Sequence, residues 1–132
     1  MQKVIIDTNV VVSAALSDKG NSSKIMSLVL NKQIYIYYSR EIMDEYMEVL
    51  SRPRLNIIAE KQQYLLDGIK MIGGLHTPKV SDIPLPDETD RVFYDLAKEV
   101  GAIIITGNRK HYPDEEFVMT PSEFLDHIDY EH

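Results

Sequence analysis

Residues 1–10 read MQKVIIDTNV, a short β-branched run that ends on an acid, Asp7. The apolar run at 4–6 is typical of a strand buried on both faces, as parallel strands in α/β proteins are. In open α/β sheets the ligand crevice lies just beyond the carboxyl ends of the strands. A carboxylate there is better placed for chemistry than for stability, because charged groups are rarely left at the edge of a core without a partner. The structural alternative is that Asp7 only caps the helix that follows.

The chain has 132 residues, a length that predicts one domain over residues 1–132. It contains no cysteine, which is compatible with a reducing compartment. No apolar stretch approaches the roughly 20 residues needed to span a bilayer. The N-terminus also lacks the basic-then-apolar layout of a signal peptide. We therefore expect a cytoplasmic protein with no membrane partner.

The charge balance is acidic, with 21 Asp and Glu against 14 Lys and Arg and a net charge of −7. Such a field repels polyanions unless bound metal or a local basic patch reverses it. The balance argues against a simple electrostatic nucleic-acid binder. It is compatible with clustered acids that hold divalent cations, or with a basic protein partner.

Strand-like runs alternate with helical patterns, which predicts crossover connections and a mainly parallel sheet. The predicted strands cover residues 4–6, 34–38, 102–106 and, more weakly, 117–119. Six helices are predicted. The first three cover 10–16, the stretch from a Ser22 or Ser23 cap to 30, and 40–51 after a Ser39 cap. The others cover 57–72 up to Gly73 and Gly74, 88–100 after Asp87, and the stretch from a Thr120 capping box to about 127. The segment 76–86, with three prolines, is predicted to be extended or looped.

The third helix carries a candidate carboxylate, Glu45. Because an α-helix turns about 100° per residue, one apolar arc contains Ile42, Met43, Tyr46, Met47, Val49 and Leu50. Glu45 falls at the edge of that arc, where its stem can pack on the core while its carboxylate reaches a cleft. Asp44 lies opposite the arc and should point to water. The alternative for Glu45 is an ordinary solvated helix face.

The fifth helix carries a second candidate, Asp90, at the edge of the apolar surface and in the first turn. Asp87 and Glu88 are interpreted as acids that stabilise the helix N-terminus. The strand at 102–106 ends in Thr106-Gly107-Asn108, which offers a hydroxyl and an amide oxygen but is also an ordinary strand-to-turn sequence. His111 is interpreted as a solvated loop histidine, because no second His or Cys lies nearby at metal-ligand spacing.

Asp7, Glu45, Asp90 and Asn108 make an oxygen-only set. Such ligands suit Mg²⁺ or Mn²⁺ rather than zinc. A metal of this kind can activate a water and neutralise charge that builds on a phosphodiester. Three acids crowded together repel one another, so we expect raised pKa values in the metal-free site.

Four stretches, in this order and spacing, resemble PIN-domain proteins, and most of all the branch of toxin components of toxin–antitoxin systems akin to VapC toxins. They are VIIDTNVVVSA at 4–14, SREIMDEYMEVLSRP at 39–53, DETDRVFYDLA at 87–97 and TGN at 106–108. The resemblance implies a three-layer α/β/α fold with a central, mainly parallel sheet. It also implies a Mg²⁺- or Mn²⁺-dependent ribonuclease that cleaves RNA.

By position, Asp7, Glu45 and Asp90 match the family's acidic metal-site residues, and Thr8 and Asn9 match its small supporting residues. Asn108 falls where many relatives carry a fourth Asp. That departure removes a negative charge from the implied metal site. It could weaken the binding of a second metal ion or shift the role of the fourth acid to Asp87 or Asp95. Relatives are often homodimers and are inhibited by an antitoxin whose basic segment enters the acidic groove. The resemblance therefore implies both partners here.

Two other classes stay open at this point. One is a non-catalytic PIN fold retained for binding RNA or protein, with Asn108 as a sign of decay. The other is a phosphoryl-transfer domain of haloacid-dehalogenase or response-regulator type. The first of these types has a second Asp two residues after its nucleophile, where this chain has Asn9. The second type needs a phospho-accepting Asp after its third strand, and we find no convincing one.

Overall fold

The central sheet is built from parallel strands. The computed structural model describes residues 1–131, and the side chains of residues 1–129. Its strands are β1 Lys3–Ile6, β2 Tyr35–Tyr38, β3 Gly74–Leu75, β4 Ile103–Ile105 and β5 Val118–Met119. They lie in the order β3-β2-β1-β4-β5, and each of the described pairings is parallel. With helices on both faces this is a three-layer α/β/α fold, which confirms the predicted fold class.

The described helices alternate with these strands. They are α1 Thr8–Leu16, α2 Asn21–Leu30, α3 Arg40–Leu50, α4 Ala59–Ile72, α5 Arg91–Val100 and α6 Pro121–Glu131. Short 3-10 turns lie at Pro53–Leu55, Glu88–Asp90 and Arg109–His111. The segment 76–86 has no regular helix or strand, as predicted. None of the helices within residues 1–131 is long and apolar enough to cross a membrane.

Burial on both sides explains why β1 reads as a continuous apolar run. Val4, Ile5 and Ile6 are fully buried, and so are Ile104 and Ile105 on the neighbouring β4. Full burial of one such side chain contributes about 1.5–3 kcal/mol relative to exposure. The two central strands therefore form the rigid base on which the residues after them are held.

Side-chain hydrogen bonds confirm two predicted helix caps. The backbone N–H of Ile42 donates to Ser39 Oγ at 3.2 Å and closes the first turn of α3. At α6, Thr120 N–H donates to Glu123 Oε1 at 2.8 Å while Glu123 N–H donates to Thr120 Oγ1 at 3.2 Å. This reciprocal pair satisfies two backbone donors at once.

The predicted cap of α2 is wrong. The helix begins at Asn21 after Gly20, whose φ of 107° requires glycine. Ser23 lies inside the first turn, and its hydroxyl donates to the carbonyl of Ser17, just past the end of α1. The Ser23 hydroxyl, predicted to cap α2, therefore links α2 to the end of α1.

Several element ends also differ from the prediction. Helix α1 starts at Thr8 rather than 10, α4 starts at Ala59 rather than 57, and α6 continues past 127. Residues 88–90 form a 3-10 turn, so the regular fifth helix starts only at Arg91. Met47, placed in the apolar arc of α3, is 44% exposed.

Strand β3 was not predicted. Gly74, interpreted from the sequence as part of a helix stop, pairs instead with Tyr37 at the edge of the sheet.

Candidate metal centre

The order of strand addition reverses between β1 and β4. The chain adds β2 and β3 on one side of β1 and then returns to place β4 on the other side. Such a switch point leaves a crevice beyond the carboxyl ends of the two strands, where ligands of α/β proteins bind. Asp7 follows β1 directly, and its N–H donates to the carbonyl of Ile105 at 2.9 Å. Asp7 therefore lies at this crevice.

Asp7 is 5% exposed, and two hydroxyl groups bind its side chain. Thr106 Oγ1 and Tyr112 OH both donate to Asp7 Oδ2, at 2.8 and 3.1 Å. It occupies the cap position of α1, but its side chain makes no cap hydrogen bond with the described residues, so capping alone does not explain this acid. Burial raises the pKa of Asp7, although the two hydroxyl hydrogen bonds oppose that rise.

Glu45 reaches the same crevice from α3. Its Oε2 accepts a hydrogen bond from the hydroxyl of Thr8, the residue after Asp7. The residue is partly buried, while Asp44 beside it is exposed, as predicted. Burial raises the pKa of Glu45, the Thr8 hydrogen bond opposes the rise, and the charge of Asp7 adds to it.

Asp90 ends the 3-10 turn before α5 and is 9% exposed. Its Oδ2 is buried and accepts no hydrogen bond from any residue that the structure describes. Burial raises the pKa of Asp90 to about 7, and repulsion by Asp7, Asp87 and Glu45 adds to the rise, while His111 opposes it. Asp7, Glu45 and Asp90 thus come from three separate elements and repel one another within one electrostatic neighbourhood.

Asp87 and His111 join this cluster. His111 Nδ1 lies 3.3 Å from Asp90 Oδ2 and 3.8 Å from Asp87 Oδ2. One ligand atom from each of the three residues lies within 4.8 Å of the others. Asp87 also accepts at Oδ1 from Thr89 N–H at 3.0 Å, a contact that agrees with its predicted role at a helix start. The histidine interpreted as a solvated loop residue has a side chain 45% exposed, yet it faces two carboxylates.

The predicted supporting residues tie the crevice walls together. Asn9 Oδ1 accepts from Gly107 N–H at 2.9 Å, which joins the start of α1 to the loop after β4. A Cβ at position 107 would lie 3.2 Å from Asn9 Oδ1, so glycine permits this close approach. Asn108 is exposed, and its backbone N–H donates to Thr106 Oγ1 at 3.0 Å. Asn108 is therefore linked to Asp7 through the Thr106 hydroxyl.

Asp95, an alternative acid in the sequence analysis, has other partners. It accepts hydrogen bonds from the backbone N–H of Ser81, at 2.9 Å, and from the Ser81 hydroxyl. Arg91 Nη1 lies 3.6 Å from Asp95 and donates to the carbonyl of Ser81 at 2.8 Å. Its Nη2 donates to the carbonyl of Ile83 at 2.6 Å. Asp95 and Arg91 thus fasten the segment 76–86 to α5.

Two features of the site were missed by sequence reasoning. Tyr112 was not singled out, although its buried hydroxyl donates to Asp7. Burial and the charge of Asp7 raise the pKa of Tyr112, so the hydroxyl stays protonated and remains a donor. The meeting of Asp87 with His111 was also missed. The only signal for it was the spacing of Asp87 and Asp90, three residues apart, about one helical turn.

The donor set indicates what the crevice can hold. Mutually repelling carboxylates in a partly buried site are stabilised by a bound cation. Carboxylate oxygens are the ligands that hard divalent cations prefer. Asp90 Oδ2 fits this interpretation, because it is buried without a hydrogen bond from the described residues, and buried polar atoms nearly always have one.

Comparison with known proteins agrees with this geometry. A family profile for the PIN domain matches residues 3–110, the stretch that contains Asp7, Glu45 and Asp90. The uncharacterized protein MJ1680 of Methanocaldococcus jannaschii is 31% identical over 110 residues, which cover 81% of this chain and 71% of that protein. PIN domains are in general metal-dependent nucleases. The chain belongs to the PIN-domain family.

Proposed function

We propose that this protein is a metal-dependent endoribonuclease that hydrolyses RNA phosphodiester bonds, with Mg²⁺ or Mn²⁺ as cofactor. The observation that supports this best is the convergence of Asp7, Glu45 and Asp90 at the sheet switch point, where Asp90 Oδ2 is buried and accepts no hydrogen bond from the described residues. Family membership supports the nuclease class.

In this proposal Asp7 and Asp90 are the main metal ligands, and Glu45 is a ligand or the base that orients the attacking water. Asn108 offers a neutral oxygen. A dication held by these residues would supply Lewis acidity for activating a water and neutralising charge on the phosphate.

The chain's own hydroxyl groups fix the acids in place. Thr106 and Tyr112 both bind Asp7 Oδ2 and so set the orientation of its carboxylate. The Thr8 hydroxyl holds Glu45 Oε2. Since these donors are already in position, little reorganisation is needed when a ligand binds.

We further propose that the protein is the toxin of a toxin–antitoxin pair and forms a homodimer. The resemblance of residues 4–14 and 39–53 to that branch supports the role. The net charge of −7 and the carboxylate cluster favour an antitoxin that inserts a basic segment. Expression of the chain alone should then arrest growth, and co-expression of its antitoxin should relieve the arrest.

The nuclease proposal is tested by Mn²⁺-dependent cleavage of RNA by rigorously purified Asp7→Asn protein. We expect activity to fall more than about 100-fold, since even outer-shell partners of a metal contribute 10–100-fold. Glu45→Gln should also lose activity, while Asp44→Asn, the exposed neighbour on the same helix, should cleave at the wild-type rate. Wild-type cleavage by Asp7→Asn would remove this residue from the mechanism.

A non-catalytic RNA- or protein-binding module is the second candidate, and Asn108 favours it because the turn after β4 lacks a carboxylate. Metal titration separates the two. Failure to bind Mn²⁺ at millimolar concentration, together with intact RNA binding, would support the binding module.

A further inference from the structure

His111 is held in position by its neighbours along the chain. Its backbone N–H donates to the backbone carbonyl of Asn108 at 3.0 Å, at the 3-10 turn Arg109–His111. The next residue, Tyr112, is 3% exposed and is anchored to Asp7 by its hydroxyl. The imidazole therefore faces Asp90 and Asp87 from a backbone that is fixed on both sides.

The spacing of the three side chains suits one ion. His111 Nδ1 is 3.3 Å from Asp90 Oδ2 and 3.8 Å from Asp87 Oδ2. Metal–donor bonds of about 2.1 Å place neighbouring donors of an octahedral ion about 3 Å apart. Small side-chain movements would bring all three atoms to bonding distance of one centre.

One oxygen in the cluster, Asp90 Oδ2, points to a ligand that the described residues do not supply. Asp90 Oδ2 is buried and, within the described part of the chain, accepts no hydrogen bond despite its contact with Nδ1. Asp87 uses Oδ1 for Thr89, both N–H and hydroxyl, while its Oδ2 lies toward His111.

We propose that His111 is a metal ligand which, with Asp87 and Asp90, makes this site prefer a first-row transition dication such as Mn²⁺ over Mg²⁺. Imidazole nitrogen is a common ligand of transition metals, whereas Mg²⁺ strongly prefers oxygen. His111 lies directly after the residues 3–110 that match the PIN-domain profile, so the family match does not assign it this role. The inference rests on the proposed metal-dependent function and specifies its metal.

The test is electron spin echo envelope modulation of the wild-type protein loaded with one equivalent of Mn²⁺. We expect the ¹⁴N modulation of a directly coordinated imidazole, and its loss in His111→Gln. His76→Gln is the matched control, because His76 is also partly exposed and paired with an acid, Glu99, but lies outside the cluster. The control should keep the signal.

Titration calorimetry gives a second measurement on the same proteins. His111→Gln should bind Mn²⁺ about tenfold more weakly or worse, with a smaller change for Mg²⁺. Bound Mn²⁺ without nitrogen modulation in the wild type would overturn the proposal and leave the nuclease proposal standing. Nitrogen modulation without metal-dependent RNA cleavage would instead support the ligand role and contradict the nuclease.

Discussion

Asp90 and Asp95 are both buried and lie five residues apart, but they have opposite surroundings. Asp95 accepts two hydrogen bonds from Ser81 and lies beside Arg91, so its charge is compensated within the fold. Asp90 faces other carboxylates and, at 3.3 Å, His111 Nδ1, and its Oδ2 accepts no hydrogen bond from the described side chains. Burial alone therefore does not mark a functional acid. The lack of a hydrogen bond to Asp90 Oδ2 from the described residues is what distinguishes the two acids.

The largest expected difference between the two acids is in catalysis. Asp90→Asn should lower Mn²⁺-dependent RNA cleavage more than about 100-fold, because it removes a proposed metal ligand. Asp95→Asn, assayed well below its unfolding temperature, should remain within about threefold of the wild type. Equal losses in initial rate for both variants would erase the distinction between them.

A smaller effect is expected on stability, and here Asp95 should matter more to the folded state than Asp90. Asp95→Asn should lower the free energy of unfolding by about 2 kcal/mol, because it weakens the buried hydrogen bonds from Ser81 and removes the buried one of the two carboxylates beside Arg91, while Glu88 remains. Urea denaturation in EDTA measures this value. Asp44→Asn, at an exposed position, is the control. A change of equal size there would contradict the view that Asp95 stabilises the contact between α5 and the segment 76–86.

The third expectation concerns pH in the metal-free protein. The folded pKa of Asp90, about 7, lies above the ordinary value of 3.8, so its charge destabilises the fold above pH 7. This penalty is lost as pH falls from about 7 to about 4, because the folded protein then binds the proton. Asp90→Asn should therefore be more stable than the wild type by roughly 2–4 kcal/mol at pH 8, since a pKa difference of one corresponds to about 1.4 kcal/mol.

Melting curves of wild type and Asp90→Asn in EDTA, from pH 8 to pH 5, check this difference. It should shrink steadily toward pH 5, and Mn²⁺ should stabilise the wild type only. A difference that is constant with pH would mean that the Asp90 charge is not the cause.

Much of the fold could be predicted because its signals are local. The run at 4–6 is apolar since both faces of β1 are covered, and the Thr120–Glu123 box is closed by residues three apart. Strand β3 escaped prediction because two residues carry no pattern of their own, and only the edge of β2 makes them a strand. Ser23 was misassigned because its true partner, Ser17, belongs to the end of another helix.

The candidate site likewise contains residues with a local sequence signal and a contact that has none. Asp7 could be predicted from its place after a buried strand, and Glu45 from its place at the edge of an apolar arc. The contact of His111 with Asp87 and Asp90 joins segments about 20 residues apart in sequence, and no periodicity reports such a contact. Only the tertiary fold brings the turn after β4 to the start of α5.

The most direct test of the central claim is the anomalous diffraction of Mn²⁺-soaked crystals. We expect a manganese peak within bonding distance of Asp90 Oδ2, in the crevice beyond β1 and β4. Well-ordered Asp7, Glu45 and Asp90 with no manganese peak within bonding distance of Asp90 Oδ2 at millimolar Mn²⁺ would contradict this claim.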